Sequence, residues 1–458
     1  MWTIGEIETA LEIKGDTKEN LNITGISIDS RTIKKGELFI ALQGDNFDGN
    51  KFISSAVQNG AKAAIVSKKD NSSPIPQIIV DDPYEALVKL AQYRRSQAET
   101  KIVAITGSVG KTSCKSMLHD ILSIYGKSYA SIGNYNNHIG LPLSLVNMPV
   151  DTEFGVFELG MNHSGEIKYL SDILKPDFTW ITIVNDAHSG NFDSEEQIVH
   201  AKAEIFSGLN PKGGIILNNS GKNYNKLRDL AINQYHHNNN IIKSYGENEI
   251  GELFIRDIEL NKDKKFVVNF SYEGEEFQIT FGFYNIALIR LLLGIIVILS
   301  NLQLDYKKSF NHFSNLQPIK GRGNVIKSNN ITIIDDSYNA NPASMNAAFD
   351  NLNVMGEILG GRTVAIIGTM LELGNESMEK HLKLEKSLVD NHIDKVITIG
   401  KYMENLYHAL PLEMRLEHFD KVQGNIDKIK SYLKQDDAVL VKASRGVKTD
   451  LIVKEVGA

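Results

Sequence analysis

The sequence predicts an α/β protein built from three units, and three observations carry that prediction. Short runs rich in Ile, Val and Phe alternate with segments of helical period, the pattern of parallel strands joined by crossover helices. The length, 458 residues, corresponds to about three domains at roughly 100–200 residues each. A glycine-rich turn, "ITGSVGKTSCKSM" (105–117), joins one of the apolar runs to a helix-like segment.

The first unit, residues 1–99, carries strand-like runs at "ITGISID", "ELFIAL", "AAIVS" and "QIIVDD". Helical stretches such as "NKFISSAVQNGA" and "PYEALVKLAQYRRSQA" lie between or after them, so this unit reads as small and mixed α/β. The second unit, 100–314, opens on "KIVAITG" and continues through "FGVFEL", "FTWITIV" and "GGIILN", a mostly parallel sheet. It then changes character. "KKFVVNFSYEGEEFQITF" reads as two antiparallel strands about a Glu273-Gly274 turn. The most apolar run, "LLLGIIVIL" (291–299), is about half the roughly 20 residues that cross a bilayer, which makes it a buried helix. The third unit, 315–458, alternates "ITIIDD", "TVAIIG", "KVITIG" and "AVLVKAS" with helical segments, a Rossmann-like pattern. "NQYHHNNN" (233–240) reads as an exposed polar loop.

Bulk properties narrow the function. The formal net charge of -7 argues against a general nucleic-acid binder. An anionic ligand must therefore be held by local groups. The single cysteine, Cys114, permits no intramolecular disulfide and suits a reducing compartment. The N-terminal stretch is acidic where an export signal would be basic, so a cytoplasmic protein with no transmembrane segment is expected.

The 105–117 turn is short for a phosphate loop. The usual form is G-x-x-x-x-G-K-[ST], whereas here Gly107, Ser108, Val109, Gly110, Lys111 and Thr112 bring the glycines two residues closer. A strand feeding such a turn into a helix leaves backbone amides and a helix dipole aimed at one spot. Lys111 adds a charge for terminal phosphates, and the Thr112 or Ser113 hydroxyl can hold Mg²⁺. The competing reading is a turn with an incidental Gly-Lys. Two further positions bear on the choice. Glu158 ends an apolar strand and His188 follows the next one, where side chains meet a ligand at the mouth of a parallel sheet. Lys202 has Ile198, Val199, Ile205 and Phe206 at helical spacing, so its stem faces an apolar interior. Either its ammonium snorkels to the surface, or CO₂ converts it to a carbamate that can bind a metal.

"TGSVGKTS", "GNYNNHIGLPLSL", "ELGMNHSGEI", "AHSGNF…AKAEIF" and "DDSYNANPASM" follow one another as in the Mur ligases, which the chain resembles. The resemblance extends to "SIDSRTIKKGELFIALQGDNFDG" near the start and to "MLELG" and "VKASRG" near the end. These enzymes use T-G-x-x-G-K-[ST], so the short loop is a family trait. The "DNPR" signature of relatives that add the third peptide residue is absent, and "SYNANP" stands in its place. That points to the branch adding D-alanyl-D-alanine to UDP-N-acetylmuramoyl-tripeptide, with ATP, through an acyl phosphate.

The resemblance implies roles for particular residues. One Mg²⁺ would sit between the loop hydroxyl and Glu158, and a second between His188 and carbamylated Lys202. Asp336 would accept the ATP ribose hydroxyls, Asn285 would lie near the adenine, and Arg322 would reach over the triphosphate. Ser30 and Arg31 would meet the uridine diphosphate, although an exposed surface arginine is an equal reading of Arg31. Asn134, Asn136 and Asn137 would orient the muramoyl-peptide, or form a simple asparagine-rich turn. Asn339 and Asn341 would shape the third unit's loop. These groups lie on separate units, so the complete site is expected in a closed state of what we expect to be a monomer. Three motifs depart from the family pattern: "GFYNIAL" with Tyr284 and Leu288, "GTMLELG" with Thr369, and "DGNKF" with Asn50. Tyr284 could still stack on a purine.

Two rivals remain. A GTP switch protein would need [NT]-K-x-D, which "NKLRD" does not supply. A folylpolyglutamate synthetase-like ligase shares the loop but not the ordered asparagine motifs.

Overall fold

The computed structural model describes residues 1–13, 21–44, 47–185, 192, 194–235, 241–328 and 330–457. Its largest element is a nine-stranded sheet. The order from one edge is Ser128–Ala130, Phe154–Glu158, Lys101–Thr106, Phe178–Ile181, Gly214–Asn218 and Ile242–Gly246, then Leu253–Leu260, Phe266–Tyr272 and Glu275–Phe281. The first seven run parallel and the last two complete an antiparallel meander. The expected hairpin turn is there: Glu273 and Gly274 both have positive φ, 52° and 81°, as a two-residue turn matched to strand twist requires.

Lys101–Thr106 lies inside this sheet, with chain-later strands on both sides. Strand order therefore reverses about it, and a crevice opens at its carboxyl end. The glycine turn leaves the strand at that point.

The 291–299 run is fully buried, as expected, but as parts of two helices, Ile286–Leu292 and Gly294–Asn301. At Gly294 a Cβ would lie 2.8 Å from Tyr245 and 2.9 Å from Trp180, so only glycine lets the helix approach the sheet this closely. No helix among the described residues is long and apolar enough to cross a membrane.

The N-terminal part holds a four-stranded parallel sheet, Ile26–Ser27, Leu38–Ile40, Ala63–Val66 and Gln77–Ile79. Helix Pro83–Gln97 starts on the Asp82 side-chain cap with proline in its first turn. Its buried face, including Leu87, Leu90 and Ala91, joins an apolar core continuous with that of the nine-stranded sheet. Trp2 pins the junction: its indole donates to the Val146 carbonyl at 3.0 Å, and Arg94 lies over its ring.

The C-terminal part is a six-stranded sheet in the order Asn324–Ser328, Ile331–Asp336, Ala438–Lys442, Thr363–Gly368, Lys395–Ile399 and Arg415–Phe419. Only the first strand is antiparallel to its neighbour. Asp336 and Lys442 are register partners at the carboxyl ends of adjacent parallel strands.

Candidate active site

The glycine turn is held by the neighbouring strand. The Ser108 amide donates to the Ile183 carbonyl at 2.7 Å, and its hydroxyl donates to the Asn185 carbonyl at 2.9 Å. Thr182 donates to the Val109 carbonyl at 2.6 Å. Both glycines are required. Gly107 and Gly110 have φ of 148° and 85°, and a Cβ would lie 2.1 Å from Thr182 Oγ1 in the first and 2.5 Å from Leu291 in the second. Helix Lys111–Leu122 starts directly after Gly110 with no side-chain cap. Its first amides have no intrahelical partner and form an anion site with the helix dipole. Ser108 spends its own amide on Ile183, so it shapes the turn, and anion binding is expected of the later amides.

Lys111 Nζ donates to the Gly107 carbonyl at 2.8 Å. Burial pushes its pKa down, Glu158 opposes that, and Arg322 adds to it. Thr112 donates to Glu158 Oε2 at 2.7 Å, and Asn136 Nδ2 donates to Glu158 Oε1 at 2.8 Å. Strand register explains this cluster: Glu158 pairs with Ile105, one residue before the strand holding the loop ends. Gly160 admits the asparagine, because a Cβ there would lie 2.9 Å from the Asn136 amide.

The Thr112–Glu158 pair presents hydroxyl and carboxylate oxygens together, a donor set that suits Mg²⁺. Lys202 is the second test of metal fit. It sits on helix Glu195–Ala203 and is 0% exposed, beside fully buried Val199, Ile205 and Phe206. Its Nζ has no hydrogen-bond partner among the described residues. Snorkelling is therefore ruled out. Burial drives its pKa well below the ordinary lysine value, and the charge of Lys111 pushes the same way. A polar atom orphaned at this depth fits a group that is converted or ligated. His188 lies outside the described residues.

A cavity of about 750 Å³ opens above the loop. From the central part it is lined by Ser108, Val109, Gly110, Lys111, Thr112, Ser113, Glu158, Asn134, Asn136, Asn137, Asn285 and Leu288. The C-terminal part contributes Arg322, Asp336, Tyr338, Asn339, Asn341 and Lys442. Two units thus already share one cavity in this structure. The Arg322 guanidinium lies 4.1 Å from the centre of the Tyr338 ring, which orients it on the cavity wall.

Several asparagines hold backbone as well as lining the space. Asn137 Oδ1 accepts from the Gly140 amide at 2.8 Å. Asn339 Oδ1 accepts from the Ala340 amide at 2.9 Å. Asn341 forms a capping box with Ser344 at the start of helix Pro342–Leu359. Asn285 caps helix Ile286–Leu292 through the Leu288 amide at 2.9 Å.

Ser30 and Arg31 lie apart from this cavity. Ser30 is buried, and its carbonyl accepts from Asn59. Arg31 is 83% exposed and forms a two-point ion pair with Asp29, whose carboxyl it holds down at about 2. Tyr284 does not line the cavity. Its ring packs edge-on against Phe266, 6.2 Å between centres. Thr369 is buried against Gly400, where a Cβ would lie 2.3 Å from its hydroxyl. Asn50 is tied to Asp48 and Ser67.

Two lysines escaped the sequence reading. Lys115, one turn beyond Lys111, is buried and donates to the carbonyls of Ser131 (2.7 Å) and Gly133 (2.6 Å). It ties the phosphate-loop helix to the segment carrying Asn134–Asn137. Its i+4 spacing from Lys111 was the available signal. Lys442 donates to Asp336 Oδ2 at 2.6 Å from a strand 106 residues away, and nothing local announces that.

A glycine phosphate loop at a switch point, a strand-end carboxylate on the loop hydroxyl, and cations from a second domain facing both define a P-loop nucleotide enzyme. Family descriptions match in chain order: "Mur ligase family, catalytic domain" at 22–103, "Mur ligase middle domain" at 105–287, and "Mur ligase, glutamate ligase domain" at 321–445. The UDP-N-acetylmuramoyl-tripeptide--D-alanyl-D-alanine ligase of Rickettsia prowazekii (strain Madrid E) is 36% identical over 456 residues, 99% of each chain. The Bacillus subtilis (strain 168) enzyme of the same name is 31% identical, over 96% of this chain and 94% of its own. A crystal structure of MurF from Acinetobacter baumannii superposes with a TM-score of 0.87 at 28% identity, covering 99% of this chain and 98% of that one. MurF ligase from Thermotoga maritima in complex with ADP gives 0.81 at 25% identity, covering 96% and 98%. The chain belongs to the Mur ligase family.

Proposed function

We propose that the chain is an ATP-dependent ligase that joins D-alanyl-D-alanine to UDP-N-acetylmuramoyl-tripeptide during peptidoglycan precursor synthesis in the cytoplasm. The observation that carries the chemistry is the single cavity uniting the phosphate loop, Glu158 and Arg322. The choice of substrates rests on full-length relatives of that name. Residues 1–99 would hold the UDP-sugar, with Ser30 and Arg31 in that unit, 100–314 the nucleotide, and 315–458 the closing groups.

The reaction needs alignment and charge neutralisation more than a protein nucleophile. The peptide carboxylate oxygen attacks the γ-phosphorus, ADP leaves, and an acyl phosphate forms. The amine of D-alanyl-D-alanine then attacks the acyl carbon, loses a proton and expels inorganic phosphate. Lys111 and the free helix amides hold the terminal phosphates, and Arg322 faces them from the other wall. Asn134 and Asn136 border the path of the incoming peptide. Cys114 is buried and its thiol pKa is pushed up, so it takes no part. Thr112 and Glu158 would hold one Mg²⁺, and Lys202 as its carbamate with His188 a second. Bound there, the ions screen the crowded anions from one another.

Incubation with ATP, Mg²⁺, each acceptor and each amine tests the reading. Phosphate release should require both D-alanyl-D-alanine and the UDP-tripeptide. Release with a folate acceptor and glutamate in their place would overturn it.

Lys115 gives a finer check. Lys115→Met removes two charged hydrogen bonds behind the Asn134–Asn137 segment, so Asn136 should hold Glu158 less well. We expect the Mg²⁺ concentration for half-maximal turnover to rise about tenfold, with the fold retained. A Mg²⁺ titration superimposable on wild type would show that the lysine only fills space.

A further inference from the structure

The Asp336–Lys442 pair is not explained by stability. Lys442 is 2% exposed and Asp336 22%. An ion pair at that depth does no better, on balance, than two well-packed apolar side chains. Its strand neighbours Leu440 and Val441 are such residues, fully buried in the sheet. The ammonium makes two contacts, to Asp336 Oδ2 at 2.6 Å and to the Asn339 carbonyl at 2.9 Å. It therefore fixes both the carboxylate and the loop that follows. Oδ1 of Asp336 has no partner among the described residues, and both side chains line the 750 Å³ cavity. One carboxylate oxygen is anchored and the other is left for a ligand.

We infer that Lys442 is a positioning residue for the nucleotide: it holds Asp336 oriented so that its free oxygen accepts hydrogen bonds from the ribose hydroxyls of ATP. The inference rests on the ribose role of Asp336. Register supplies the reason the pair is preorganised. The two residues are direct neighbours on parallel strands, so the sheet itself sets their separation. Hydrogen bonds from the ribose then meet a carboxylate that need not reorganise.

The test is calorimetric titration of the full chain, in Mg²⁺, with ATP and with 2′,3′-dideoxy-ATP. Wild type should bind ATP about tenfold or more tightly than the dideoxy nucleotide, the size of one hydrogen bond to a charged group. Asp336→Asn should cut that ratio to about threefold or less, because a neutral amide oxygen accepts more weakly. Lys442→Met should cut it to a similar value, by weakening ATP and leaving the dideoxy nucleotide nearly unchanged. A Lys442→Met protein that binds both nucleotides more weakly at an unchanged ratio overturns the inference and makes the lysine purely structural. A ratio preserved in Asp336→Asn, or absent in wild type, overturns the ribose role and the inference with it. If melting curves show that Lys442→Met does not fold, Lys442→Gln decides by the same ratio.

Discussion

Lys111→Ala should lower ATP turnover by roughly a thousandfold, the upper end of what one preorganised charged donor contributes to a reaction centre. The loop amides survive the substitution, so weak nucleotide binding persists while the terminal phosphates lose their only contact from this helix's side chains. Stability should not fall with activity. In the absence of nucleotide Lys111 has one carbonyl partner, and burial disfavours its charge more than Glu158 favours it. Removing it relieves that desolvation cost, so the ligand-free melting temperature should hold or rise. The stabilisation that saturating ATP confers on wild type should largely disappear, since it scales with the logarithm of affinity. Turnover within tenfold of wild type would end the phosphate-loop assignment. A collapse of the ligand-free melting temperature would instead mark Lys111 as a structural residue.

The phosphate loop was legible because everything it needs is local. The strand, the two glycines with positive φ and the helix start lie within one short stretch, and each leaves a residue-type signature. Glu158 was legible for a related reason, since a parallel strand's end is readable from its apolar run. Helical spacing placed the stem of Lys202, while its ammonium stayed open between the surface and the interior until burial was known. What escaped depends on contacts between distant parts of the chain. Lys442 reads as the polar end of a buried strand until its register with Asp336 is known. Arg31 is a local exception, paired with Asp29 two residues earlier. Tyr284 follows the logic of Lys442, its ring packed edge-on against Phe266 at the start of the Phe266–Tyr272 strand. Short strands were missed for want of a periodic signal: Ser128–Ala130 is three half-buried residues, and Arg415–Phe419 is half-buried until its last position. Burial by the rest of the fold, not local preference, makes them strands.

Lys202→Ala should be nearly inactive yet no less stable, and that combination separates a ligand from a packing residue. A bare ammonium at 0% exposure with no hydrogen-bond partner among the described residues costs the fold several kcal/mol by rough measure, so its removal offsets part of the cavity it leaves. Its lowered pKa has a definite consequence. The unfolded chain binds a proton that the folded chain resists, so the penalty is complete below the folded pKa and fades as pH rises toward the ordinary lysine value near 10.5. The same shift leaves neutral amine available at lower pH than an exposed lysine would. Neutral amine attacks CO₂, releasing one proton and forming a carbamate whose charge is opposite to that of the ammonium. Next to Lys111 that sign reversal would turn a repelled group into an oxygen ligand. Activity in Lys202→Ala should fall about a hundredfold or more, as when a metal site loses a supporting group. Acetate, small enough to enter the space, should restore part of it, and chloride at equal concentration should not. Retention of most activity in the alanine variant would remove the metal role. A dead, destabilised variant that acetate does not help would assign the side chain to packing.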